Sequence, residues 1–128
     1  MKNLSQFIIE KLKIRKSNKP SYNYFPKTTE ELHDILKELI EERGNDGDFN
    51  DIDVSKITDM SKLFEDMAEF NGDISKWDVS NVKYMEYMFR GCHSFNQDIS
   101  NWLLNNDTFT KQMFENCPIE EKHKPKFK

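Results

Sequence analysis

Between Thr28 and Gly44 the apolar residues Leu32, Ile35, Leu36, Leu39 and Ile40 recur at steps of three and four, with charged residues between them. That period places one apolar stripe along a helix. Thr28 followed by Glu31 makes a capping-box pattern, and Arg43–Gly44 supplies a basic last turn and a glycine stop. The preceding YNYF, closed by Pro26, reads as a short strand, so residues 21–44 are expected to form a strand–helix N-terminal cap. Upstream, Leu4, Phe7, Ile8 and Leu12 predict a basic amphipathic helix within residues 1–20.

The second half of the chain repeats itself. Phe70, Asn71, Asp73, Ile74, Ser75 and Trp77 return as Phe95, Asn96, Asp98, Ile99, Ser100 and Trp102, each displaced by 25. Asn81, Met88, Phe89 and Cys92 return as Asn106, Met113, Phe114 and Cys117, and a worn copy with Asp53, Val54, Ser55, Met60 and Phe64 lies one step earlier. The units are 45–69, 70–94 and 95–119, followed by a basic C-terminal tail, 120–128. A fixed period of this length signals stacked units, because one unit cannot bury its apolar face alone. In DISKW an inward Ile lies between Asp and Ser, the alternation of a very short strand entered by a turn at Asn71–Gly72. In NVKYMEYMFRGC the residues Val82, Met85, Met88, Phe89 and Cys92 follow a helical spacing, which predicts a short helix ended by Gly91. In the last unit Asp107 and Thr110 replace Val82 and Met85, as suits a terminal unit with one face in water.

The pattern F-N-x-D-I-S-x-W-D-V-S-N-V-x-x-M-x-x-M-F-x-x-C resembles the BspA-like leucine-rich-repeat class, the DUF285-type surface-protein repeats of bacteria. Residues 70–92 match nearly position for position, 51–67 clearly, and 95–117 in part. The resemblance implies a right-handed solenoid used for protein binding. The expected fold class is therefore α/β: a small right-handed solenoid of strand–helix repeats of period 25 with an N-terminal helical cap. Many members of that class are long secreted arrays. With three units and no export signal, this chain is more similar to short intracellular forms of gut bacteria and their phages.

Composition sharpens the functional reading. The 128 residues suit one domain, and the net charge of -4 conceals an uneven distribution. Residues 1–27 are net +6, the body 28–119 is -12, and the tail is +2. The opening MKNLSQFIIEKLKIRK has only a three-residue apolar core, against roughly 7–15 for a signal peptide, and no run approaches the ~20 residues of a membrane span. A cytoplasmic chain is expected, in keeping with two cysteines, too few for a disulfide scaffold.

Catalytic chemistry has no kit here. There is no phosphate-binding glycine loop, serine elbow or matched acid–base pair. NDGDFNDID imitates a calcium loop, but from Asp46 the sixth position is Asp51 and the twelfth Ile57, where Gly and Glu are required. His33, His93 and His123 are scattered, Cys92 and Cys117 are expected as two buried thiols, and Trp77 with Trp102 as a core ladder. No metal, no cofactor and no enzymatic activity are expected.

The first functional expectation is a non-enzymatic protein-interaction module. Its face would combine Asp73, Ser75, Asp98 and Ser100 with Asp51, Asp53 and Lys76. The alternative is a phage or mobile-element inhibitor of a host nucleic-acid enzyme or defence system, whose acidic body imitates a phosphate backbone. In that case the partner is a nucleic-acid-binding protein. Lys11, Lys13, Arg15 and Lys16 form a basic run that would contact nucleic acid or another anion directly, although a solvated helix end is the plainer reading. A third candidate surface, acidic like the first, is the helix face around Glu38, Glu41 and Glu42.

Overall fold

A computed structural model describes residues 21–128. The expected N-terminal helix, with Lys11, Lys13, Arg15 and Lys16, lies outside the described residues. Helix α1 spans Thr29–Arg43, as its stripe requires. The Thr28 hydroxyl accepts the Glu31 N–H at 3.1 Å, and the Gly44 N–H donates to the Ile40 carbonyl at 2.8 Å. Leu32, Ile35, Leu36 and Leu39 are buried, with Ile40 partly covered. The strand expected in YNYF contracts to one parallel bridge between Tyr24 and Ile52.

Beyond α1 the described residues contain no further α-helix. They hold a 3-10 turn at Glu121–His123 and a parallel pair of two-residue strands, β1 (Leu103–Leu104) and β2 (Lys126–Phe127). Adjacent units meet through single parallel bridges joining residues one period apart: Asp48 with Asp73, Asp59 with Tyr84, and Tyr84 with Phe109. DISKW is correspondingly a bridge at Asp73 followed by a turn.

The segment predicted as a helix, 82–92, is a run of tight turns. Its inward residues are those expected, since Val82, Met85, Met88, Phe89 and Cys92 are all buried. The backbone differs because its N–H groups alternate between two destinations. Met88, Arg90 and Cys92 donate locally to Met85, Tyr87 and Phe89, whereas Met85, Tyr87, Phe89 and Gly91 donate to Phe109, Lys111, Met113 and Glu115 of the next unit. A helix would spend every interior N–H within itself. Left-handed residues break it twice per unit: Lys62 and Asp66, then Tyr87 and Gly91, then Gln112 and Asn116. At Gly91 a Cβ would also come within 2.4 Å of Asp66 Oδ1, so glycine here leaves room for the Asp66 carboxylate of the unit before.

Stacked rings fill the interior. Phe89 lies 5.4 Å from Phe64 and 5.5 Å from Phe114, Phe95 lies 5.9 Å from Phe70, and Trp102 lies 6.3 Å from Trp77. The Trp77 indole donates to the Phe49 carbonyl at 2.9 Å and the Trp102 indole to that of Ile74 at 3.1 Å, so neither polar handle is orphaned. Polar residues repeat the same logic. Asn71 Oδ1 accepts the Asn96 N–H, and Asn96 Oδ1 accepts the Glu120 N–H.

The third unit departs from its text by one residue. Asp107 is exposed, and Thr108 turns inward instead, donating its hydroxyl to the Val82 carbonyl at 3.3 Å. The basic tail lies along this unit: Ile99 N–H donates to His123, and Lys126 and Lys128 N–H donate to Trp102 and Leu104.

Candidate interaction surface

The sequence D-x-S builds the outward rim. Asp73 Oδ1 accepts both the N–H and the hydroxyl of Ser75, at 3.0 and 2.7 Å. Asp98 does the same with Ser100 at 3.0 and 2.6 Å, and Asp78 with Ser80 at 3.1 and 2.6 Å. Asp53 accepts the Ser55 N–H at 3.0 Å. A short carboxylate side chain reaching the N–H two residues on is an Asx turn, and serine adds its hydroxyl. Asp73, Ser75, Asp98 and Ser100 are therefore brought together as two equivalent turns. Each is fixed locally and offset from the other by one unit.

Electrostatics follow from these bonds. The Ser100 hydroxyl and N–H hold the Asp98 carboxyl below its usual range. At half-buried Asp73, burial acts to raise the pKa. The Ser75 bonds outweigh it, with help from Asn50 and Lys76, and the carboxyl is held low. Both carboxylates stay charged at neutral pH. Lys76 is exposed beside them, and its backbone N–H donates to Asn50 Oδ1 at 2.8 Å.

Asp51 does different work from the rest of the expected face. Arg43 grips its two oxygens at 2.8 and 3.0 Å, and Asn23 Nδ2 donates to it at 2.9 Å. This fork clamps the end of α1 to the first unit. Burial acts to raise the Asp51 pKa, but the bonds from Arg43 and Asn23 outweigh it and the carboxyl is held low. On α1, Glu41 and Glu42 are exposed and Glu38 is half-buried.

Sequence reasoning missed an outward aromatic row. Tyr84 (40% exposed) and Phe109 (50% exposed) stack at 5.5 Å with planes 7° apart. Their shared place one period apart was the available signal, hidden because Asp59 occupies it in the first unit. Two cations approach the Tyr87 ring, Lys62 at 5.9 Å and Arg90 at 5.5 Å from its centre.

Burial disfavours the thiolate at both cysteines. Cys92 is buried, donates to the Phe64 carbonyl at 2.9 Å, and is pushed up to about 12 by burial. Burial raises Cys117 as well, and both cysteines are free. Among the described residues no three His, Cys, Asp or Glu side chains gather as a metal site, and no helix is long and apolar enough to cross a membrane.

No curated protein and no solved structure matches the chain. Residues 32–124 match the family model described as "Mycoplasma protein of unknown function, DUF285", which takes in most of α1, the three units and the turn at Glu121–His123. The chain belongs to the DUF285 family.

Proposed function

We propose that this chain is a non-enzymatic protein-interaction module: a short right-handed solenoid of the BspA-like leucine-rich-repeat type, whose outward turns meet a partner protein. The observation that carries this reading is the pair of equivalent turns Asp73–Ser75 and Asp98–Ser100 in consecutive units. Each carboxylate is locked by its own turn before any partner arrives, so little side-chain entropy remains to be lost on binding. The row lies on a body of charge -12, which favours a basic partner surface and fast, salt-sensitive association. Two free thiols suit a reducing, cytoplasmic setting.

The test is capture from a host lysate by the full chain, with and without nuclease, read by mass spectrometry. The Asp73→Lys, Asp98→Lys double variant is run in parallel. A partner protein that survives nuclease and is lost with the double variant supports the reading. Capture that needs RNA or DNA, or that ignores the charge reversal, overturns it and turns attention to the nucleic-acid-directed alternative.

A further inference from the structure

The hydrogen bonds between units stop at an open edge. In the first unit the N–H groups of Met60, Lys62, Phe64 and Asp66 donate to Tyr84, Glu86, Met88 and Arg90 at 2.7–3.0 Å. In the second, Met85, Tyr87, Phe89 and Gly91 donate to Phe109, Lys111, Met113 and Glu115 at 2.8–3.0 Å. The equivalent donors of the third unit are Thr110, Gln112, Phe114 and Asn116. They find no acceptor among the described residues. Their conformation is nevertheless kept. Met113, Glu115 and Cys117 retain the local bonds to Thr110, Gln112 and Phe114, and Gln112 and Asn116 hold φ at 49° and 57°.

Apolar surface accompanies the donors. The tail covers the third unit only through its first half, ending in the β1–β2 pair. Beyond it lies a groove of about 360 Å³ lined by Thr110, Met113, Phe114, Lys124 and Phe127, among others. Phe89 has rings stacked on it from Phe64 and Phe114, whereas among the described residues Phe114 stacks on Phe89 alone and Phe109 on Tyr84 alone. The Lys124 ammonium sits 5.5 Å from the Phe114 ring centre and is paired to exposed Glu121.

We propose that this edge docks an acidic segment of a partner protein that takes up the same run of turns and carries two aromatic residues five positions apart, which completes a further rung. The proposal rests on the interaction-module reading but uses a surface separate from the Asp–Ser turns. Four donors at every second residue require carbonyls at every second residue, and residues 84–90 and 109–115 present them to the units before from consecutive tight turns. The aromatic spacing follows from the five residues between Phe109 and Phe114. Lys124 in the groove, with Lys111 and Lys126 exposed nearby, favours acidic over basic side chains. A second copy of this chain is a poor occupant, because α1 covers the opposite end of the array. There the Thr29 hydroxyl donates to the Asp59 carbonyl at 2.7 Å, and Leu36 and Ile40 line one cleft with Leu63, Phe64 and Met67. Head-to-tail pairing of copies is blocked at that end.

The test is an amide NMR titration of the full chain with a peptide of residues 82–92 carrying Lys83→Glu, Arg90→Glu and Cys92→Ser. In this peptide Tyr84 and Phe89 supply the required spacing. The expected result is saturable shifts at Thr110, Gln112, Phe114 and Asn116, with their hydrogen exchange slowed. Thr110→Pro removes one open donor and should weaken binding by up to about tenfold, the scale of one net hydrogen bond. Phe109→Ser, at an exposed ring, gives an independent readout and should weaken it too. Asp73→Lys with Asp98→Lys should leave peptide affinity within twofold. Shifts confined to other amides, equal binding of a scrambled peptide, or no binding at millimolar peptide each overturn the proposal. A chain that captures a partner through its Asp–Ser turns but ignores the peptide keeps the proposed function and loses this inference.

Discussion

Trp77→Ala removes a buried side chain that joins successive units. Trp77 is 4% exposed, stacks on Trp102 at 6.3 Å, and lies 6.1 Å from Phe64. Truncating a buried large aromatic costs about 3–5 kcal/mol in transfer and cavity terms. The substitution also strips the Phe49 carbonyl of the indole donor at 2.9 Å, a loss on the order of 1–3 kcal/mol when the acceptor stays buried. The two terms overlap, so a total of about 4–6 kcal/mol is expected, comparable to the whole stability of many domains of this size. Urea unfolding followed by Trp102 fluorescence measures it, with Trp77→Phe as the variant that keeps a ring but loses the donor. Trp77→Phe should fall between wild type and Trp77→Ala, and Lys76→Ala should change stability by less than about 0.5 kcal/mol. A Trp77→Ala loss below about 2 kcal/mol would refute the claim that the ring ladder holds the units together.

Three further outcomes follow from the turns and the clamp. Gly91→Ala meets both a positive φ and the 2.4 Å approach of Asp66 Oδ1, so it should cost about 1–3 kcal/mol in thermal or urea unfolding; adding Asp66→Gly, which removes the carboxylate and suits the left-handed φ of 61° there, should recover part of that loss. Asp73→Ala removes the acceptor of two Ser75 bonds and should cost about 1 kcal/mol in urea unfolding, more than Lys76→Ala. The folded-state pKa of Asp51 is depressed, so its contribution is present above the unfolded carboxylate pKa of about 3.9 and is lost as pH falls through the lower folded value. Asp51→Asn should therefore lower stability at pH 7 and flatten the decline of stability below about pH 5; a variant curve parallel to wild type over that range would contradict the clamp.

Much of the interior was legible because a 25-residue period fixes which residues meet. Phe64, Phe89 and Phe114, or Trp77 and Trp102, could be paired from the text alone, and the capped helix α1 followed from its stripe. The backbone of 82–92 was not legible, because apolar residues three and four apart point inward equally well from a helix or from consecutive tight turns. What decides between them is where alternate N–H groups go, and those acceptors lie one unit away. Gly91 was read as a helix stop when its φ of 74° and its approach to Asp66 mark a turn repeated in every unit. Among the candidate face residues, the Asp–Ser pairs were found but their mutual bonding was not, although D-x-S is itself an Asx-turn text. Asp51 could not be separated from them, since Arg43 and Asn23 reach it from elements that only the fold brings together.

Amide hydrogen exchange, resolved residue by residue, tests the alternating backbone most directly. If each unit donates every second N–H to the next, Met85, Tyr87, Phe89 and Gly91 should exchange slowly while their counterparts Thr110, Gln112, Phe114 and Asn116 exchange at least about a hundredfold faster. Equal protection of the two sets, or continuous helical protection from Val82 to Cys92 that persists in an isolated second unit, would contradict it.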